Sequence, residues 1–199
     1  MQSKKKDLQM LIQTTALEMF YQKGYRQTKM SEIAKEMGIS VGNIYTYFGN
    51  KEDLFYTVVP KETMAYFEEV IVESIKVYND FLVNQKTGEE VRNILQEQMK
   101  LLASRYREVV IMLEKNEGTV YEGKLEAIIQ LMTDDRIYKS NLRDPSRIVE
   151  DTDIRRFYRI IGTSFANMVL LALKEEGISE EKKYELCLSL MDYQLRLND

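Results

Sequence analysis

Over residues 8–23 the positions Leu8, Leu11, Ile12, Thr15, Ala16, Met19 and Phe20 recur at helical spacing, and Gly24 supplies a stop. Two shorter pieces follow. Ile33, Ala34 and Met37 form the buried stripe of one, and Ile44 and Phe48, at i and i+4, form the stripe of the other. Gly38 ends the first piece at low conformational cost, and Ser40 caps the second, so the linker between them is about three residues long. From Leu54 the pattern continues through Phe55, Val58, Val59, Met64, Phe67, Val70, Ile71 and Ile75, with Pro60 predicting a kink or break near residues 56–60. Residues 78–88, holding Asn79, Asp80, Asn84 and Gly88, lose the period and read as a connection with one helical turn over 81–83. Helix is predicted again over 89–113, with a break near Ser104, and a turn over 115–123 around Gly118 and Gly123. The next helix, over 121–141, buries Leu125, Ile128, Ile129, Met132 and Ile137, and Asp144-Pro145-Ser146 ends that region because the residue before proline is pushed out of helical space. Two final helices, 153–176 and 179–198, flank Gly177. The expected class is all-α, with a helix-turn-helix domain over 1–52 and a larger helical domain over 53–199.

The two short pieces form a helix-turn-helix. Thr28 is suited to cap the first helix, with its hydroxyl accepting a free backbone N–H. With Ile44 and Phe48 inward, Val41, Gly42, Asn43, Tyr45, Thr46 and Tyr47 face largely outward, and residues 41–43 and 46 are those placed to reach base edges in a major groove. Asn43 can pair bidentately with adenine. Val41 and the Thr46 methyl can meet a thymine methyl, and Gly42 permits close backbone approach. Tyr45 and Tyr47 either reach phosphate oxygens or pack back on the first helix. Asn50 caps a third helix with Asp53 as a variant capping box, and Lys51 in its first turn suggests an anion site. Thr28, Lys29 and Ser40 complete the expected DNA-contacting set.

The run GYRQTKMSEIAKEMGISVGNIYTYFGNKEDL resembles the DNA-binding domain of the tetracycline-repressor (TetR) family of transcriptional regulators. The marks are Thr28, the Ile33-Ala34 pair, Gly38, Ser40, Gly42, the Tyr45-x-Tyr47-Phe48 run, and Lys51 followed by Leu54, in roughly the first quarter of the chain. The resemblance implies an all-helical dimeric repressor, with three helices on DNA and the rest forming a ligand pocket and dimer contact. The rear part matches no motif. Tetracycline repressors hold a metal–drug chelate through histidine, and this chain has no histidine, which disfavours a chelated inducer.

Charge distribution supports the same division. The net charge is −4, yet residues 1–51 carry eight basic against four acidic side chains, and residues 52–199 carry twenty against twenty-eight. A basic front supplies phosphate affinity and an acidic body favours one docking orientation. Lys4, Lys5 and Lys6 read equally as a DNA-contacting arm or as solvated charge. One cysteine and no histidine exclude an intramolecular disulfide, a conventional His/Cys metal cluster and Ser-His or Cys-His catalysis. With no signal-peptide core and no membrane-length apolar run, the expected location is cytoplasmic, with neither cofactor nor membrane partner.

The last helix carries two apolar stripes. Tyr184, Cys187 or Leu188, Met191 and Leu195 lie on one, and Leu186, Leu190, Tyr193 and Leu197 on the other. A second stripe calls for burial in a large core or against a second copy, and the expected dimer face is Phe165, Met168, Ala172, Tyr184, Leu188, Met191 and Leu195. A two-fold dimer suits a palindromic operator in double-stranded DNA. Cys187 reads as a small core residue. Thioethers and tyrosines in the middle of the chain suit an adaptable apolar cavity, and the candidate effector-binding set is Tyr66, Met99, Tyr106, Met112, Tyr121, Met132, Phe165 and Met168. Such residues are also ordinary core.

Three function classes follow. A repressor released from its operator by a small apolar or amphipathic effector accounts for the motif, the charge split and the striped C-terminal helices together. An enzyme would have only carboxylates such as Asp134 and Asp135, which read as solvated helix surface. The alternative is a helical dimeric interaction protein without ligand-controlled DNA binding, against which Tyr45, Tyr47 and Lys51 argue. The helix around Pro60 is expected to be the only covalent lever between effector and DNA.

Overall fold

The computed structural model describes residues 2–83, 85–143 and 152–196, with side chains over 5–83, 85–142 and 152–193. Ten helices and no strand occur among the described residues, so the chain is all-α. The Asp144-Pro145-Ser146 stop lies outside them, as does the side chain of Leu195.

The chain forms two compact units. The first joins Met1–Tyr66 to Arg107–Lys124, and the second joins Phe67–Tyr106 to Leu125–Asp199. The expected domain 1–52 lies wholly inside the first unit. Because the segment 107–124 returns to the first unit, the backbone crosses between units three times, at 66/67, 106/107 and 124/125. The helix around Pro60 is therefore not the only covalent lever.

In the first unit, α1 (Gln2–Gln27) is interrupted at Gly24, whose φ of 81° lies in the left-handed region. A side chain there would also press on the Lys115 carbonyl, 3.4 Å from an added Cβ. Ile12, Ala16, Met19 and Phe20 of α1 are buried with Ile33 and Ala34 of α2 (Met30–Glu36), Ile44 of α3 (Val41–Tyr45) and Leu54 and Phe55 of α4 (Lys51–Val58). The predicted break at Pro60 occurs between α4 and α5 (Lys61–Leu82). Proline brings no N–H to the corner, and the Val59 carbonyl accepts from the Tyr121 hydroxyl at 2.9 Å. The Tyr56 hydroxyl accepts from the Val120 N–H at 3.2 Å. Phe55 meets the Phe20 and Tyr25 rings edge-on at 5.1 and 4.7 Å, which adds directional contact to simple burial. α7 (Tyr106–Glu114) is held to α1 by the Arg107–Glu18 pair at 2.8 Å.

In the second unit, α5 runs on to Leu82, so the expected connection over 78–88 is a correction: only residues after 82 connect. Tyr78, Phe81 and Leu82 extend the apolar stripe past polar Asn79 and Asp80, whose partners come from α8 (Lys124–Arg143). Asn79 donates to Asp135 at 2.8 Å, and Lys139 bridges Asp80 at 2.5 Å and Asp135 at 3.3 Å. α6 (Gly88–Ser104) opens with Thr87 and Glu90 in a reciprocal capping box and ends at the predicted break. α9 (Thr152–Lys174) and α10 (Glu180–Arg196) flank Gly177 at φ 75°.

Cys187 lies in the core, and burial pushes its thiol up to about 11. Thiolate is the reactive form, so at pH 8 the native protein is expected to react with a thiol-selective disulfide reagent only as fast as it unfolds. Reaction at the rate of a free cysteine would overturn that placement. Tyr121→Phe removes one buried donor from Val59 and is expected to cost about 1–3 kcal/mol in denaturant unfolding.

Candidate nucleic-acid interface and effector cavity

The turn is built by backbone bonds that the sequence permits. The Gly38 N–H donates to Lys35 O at 3.1 Å and Ile39 N–H to Ala34 O at 3.0 Å, with Gly38 at φ 66°. Ser40 Oγ accepts from Asn43 N–H at 3.3 Å and opens the five-residue α3. Ile44 and Phe48 are buried, which fixes the rotation of α3. Val41, Gly42, Asn43, Tyr45 and Thr46 are exposed, as are Lys29 and Ser40. Tyr47 is half-buried, and Lys5 Nζ lies 5.8 Å from its ring centroid, which brings one basic N-terminal side chain beside α3.

Thr28 and Lys51 do something other than expected. Thr28 is fully buried and its hydroxyl donates to Gly24 O at 2.8 Å, so it neither caps α2 nor faces a duplex; Lys29 is the residue at the cap position. Losing water would leave that hydroxyl unsatisfied, and the carbonyls at the end of α1 supply the acceptors. Lys51 Nζ donates to Tyr25 O at 2.8 Å and Thr28 O at 3.1 Å and sits 4.2 Å from the Tyr25 ring centroid. Partial burial in this seat lowers the Lys51 pKa. At the start of α4, Asn50 Oδ1 accepts from Asp53 N–H at 2.8 Å and Asp53 Oδ2 accepts from Gly49 N–H at 2.9 Å. With Glu52 and Asp53 in the first turn, that helix start is occupied by the chain's own carboxylates, which corrects the expected anion site.

The second unit holds a cavity of about 260 Å³ lined by Tyr78, Asn79, Leu82, Met132, Arg136, Phe157, Tyr158, Ile161, Gly162 and Phe165. Of the eight expected effector residues, Met132 and Phe165 line it and the other six do not. Tyr66 is exposed; Met99 and Tyr106 are core of the second unit, Tyr106 beneath Lys183 at 4.6 Å. Met112 and Tyr121 are buried in the first unit, to which the returning segment belongs. Met168 is half-buried away from the cavity. Tyr78 and Phe165 stack with centroids 5.8 Å apart and planes 3° from parallel, and burial pushes the Tyr78 phenol up to about 12. Arg136 lies over the Tyr158 ring at 5.4 Å, and its Nη1 is buried with no hydrogen-bond partner. An orphaned charged donor costs about 1–3 kcal/mol or more. Composition pointed to Met and Tyr and missed Arg136, because a lone arginine in a helix carries no sequence signal until its neighbours are known.

Helices α2 and α3, joined across the Gly38 turn, form a helix-turn-helix. Residues 12–58 match the family model "Bacterial regulatory proteins, tetR family", so this stretch of the chain is similar to the DNA-binding domain of those regulators. It is 43% identical over 67 residues to the Fatty acid metabolism regulator protein of Bacillus subtilis (strain 168), a stretch that is 34% of each chain. It is 29% identical over 130 residues to the Uncharacterized HTH-type transcriptional regulator YhgD of the same organism, covering 60% of this chain and 68% of that one. The chain thus spans about a third of the first relative's length. Among solved structures, a TetR-like transcriptional regulator from Rhodococcus sp. RHA1 aligns over 94% of this chain and 95% of its own at 16% identity and a TM-score of 0.49.

Asn43→Ala and Lys51→Ala are expected to separate reading from bracing. Asn43→Ala should cost about 1–3 kcal/mol on the preferred site, little on random DNA, and nothing in thermal stability. Lys51→Ala should lower the melting temperature by about 2–4 °C and weaken binding to all sequences alike. Fluorescence anisotropy with specific and random duplexes, beside a melting curve, checks both. A stability-neutral Lys51→Ala that reduces the salt slope by about one would restore Lys51 as a simple phosphate contact.

Proposed function

We propose that the chain is a two-fold dimeric repressor that reads a palindromic operator with Val41, Gly42, Asn43 and Thr46 and leaves it when a small apolar or amphipathic effector binds the second unit. The observation that carries this reading is the capped, five-residue α3 with its polar face outward over a buried Ile44 and Phe48. Lys29, Ser40, Tyr45 and Tyr47 flank that face and supply backbone contacts. The basic front of the chain supports the same orientation.

The dimer contact is assigned to a different stripe from the one the sequence suggested. Ala172 and Met191 are 8% and 1% exposed, consumed by the protomer's own core, and Phe165 is turned to Tyr78. Tyr184, Leu188 and Met168 are half-buried. Ile160 and Leu171, eleven residues apart and so on one face of α9, do not line the cavity and stay exposed, as do Leu186 and Tyr193 on α10. Water-facing apolar stripes of this kind mark association surfaces, and an isologous pairing of α9 and α10 covers both.

Effector and DNA then share one linkage: whatever factor the effector removes from operator affinity, the operator removes from effector affinity. The test is a mobility shift on the DNA upstream of the chain's own gene. A saturable shift that random DNA competes poorly supports the reading, and no shift on any fragment at low salt overturns it. Ile160→Asp and Leu171→Asp are each expected to give monomers in sedimentation velocity with unchanged helical circular dichroism, because their side chains stabilise nothing within one chain. A spin label on exposed Lys35→Cys, with Cys187 buried, reports the spacing of the two DNA-binding units. Unchanged spacing on effector-driven release would replace a change of geometry with a loss of order as the mechanism.

A further inference from the structure

We propose that the cavity of the second unit takes a monocarboxylate with an apolar tail, its head on the Arg136 guanidinium. This deepens the effector reading above and rests on it. The cavity walls Leu82, Met132, Ile161 and Phe165 offer nothing polar, so a bound molecule is apolar over most of its length. Tyr78, Asn79 and Tyr158 add neutral polar groups, and Arg136 is the one charged residue of the lining. Its Nη1 is buried without a hydrogen-bond partner, and its guanidinium lies over the face of the Tyr158 ring at 5.4 Å.

The nearby carboxylates do not fill the role. Asp80 and Asp135 are both bridged by Lys139, and Asp135 also accepts from Asn79. Arg136 is half-buried with one nitrogen fully out of water, and a guanidinium beside apolar walls favours an anionic acceptor from outside the chain. Arg136 is the one cationic side chain among the lining residues, which matches a single negative charge. A carboxylate matches the planar fork of arginine; a multiply charged head would bring charge that no other cavity cation neutralises. Tyr78 stays protonated well above neutral pH, so it adds no opposing negative charge. Gly162 leaves the wall open where a side chain would meet Met132 at 3.7 Å. At about 260 Å³ the space lies near the lower end of pockets for small organic ligands, which selects a short acid over a long one.

The experiment compares octanoate with 1-octanol, which share a tail and differ in charge, by calorimetry on the full chain. The wild type is expected to bind octanoate roughly tenfold or more tightly than octanol, the range of a charge-assisted hydrogen bond. Arg136→Gln is expected to abolish that preference and leave octanol affinity unchanged. Equal affinities in the wild type, or a preference that survives Arg136→Gln, would overturn the carboxylate assignment while the apolar effector reading stands. Binding of neither probe up to its solubility would remove the cavity as an effector site and this assignment with it. If Arg136→Gln does not fold, the wild-type comparison decides alone.

Discussion

Pro60 is the constraint from which the division of the chain follows. It cannot donate to a helical ladder, so α4 ends before it and the Val59 carbonyl needs a donor from elsewhere. Tyr121, more than sixty residues further along the chain, supplies it at 2.9 Å. Around that bond the segment Arg107–Lys124 donates its Val120 N–H to the Tyr56 hydroxyl and accepts from the Tyr25 N–H at Lys115 O, and it belongs to the first unit. The unit that carries the helix-turn-helix therefore contains a piece of chain bounded on both sides by the second unit.

The polar groups of the first unit are settled by its own atoms. Ser40, Asn50 and Asp53 satisfy the starts of α3 and α4, and Thr28 and Lys51 close carbonyls at the end of α1. Rigidity of this kind leaves a sparse outward set, Val41, Gly42, Asn43, Tyr45 and Thr46, on a helix too short to be stable alone. The second unit differs in one respect. Its buried ion cluster around Lys139 is satisfied, while Arg136 keeps an orphaned donor beside apolar walls.

Hydrophobic period placed most helices, and Gly38, Pro60 and Gly177 placed three of the stops, because these residues act through local backbone sterics that need no partner. The failure at residues 78–82 is informative. Asn79 and Asp80 look like a loop in sequence, yet α8 supplies Asp135 and Lys139 as partners, and once paired they no longer interrupt a helix. The outward face of α3 was legible for a similar reason: Ile44 and Phe48 define its inner side by spacing alone.

What the sequence determined by itself is whatever depends on neighbours within about two helical turns: the helical class, the helix-turn-helix, its outward residues and the charge split. What the tertiary structure decided is which of several equivalent choices is used. On α10 two apolar stripes were both legible, but only packing shows that Cys187 and Met191 face the protomer's core while Leu186 and Tyr193 face out. Likewise Thr28 and Lys51 were chosen for chemistry that exposed side chains perform, and the three-dimensional fold turned both to internal carbonyls. A one-dimensional pattern encodes amphipathicity, but the identity of the partner across a buried face depends on residues far away in sequence, so it emerges only when the chain is closed on itself.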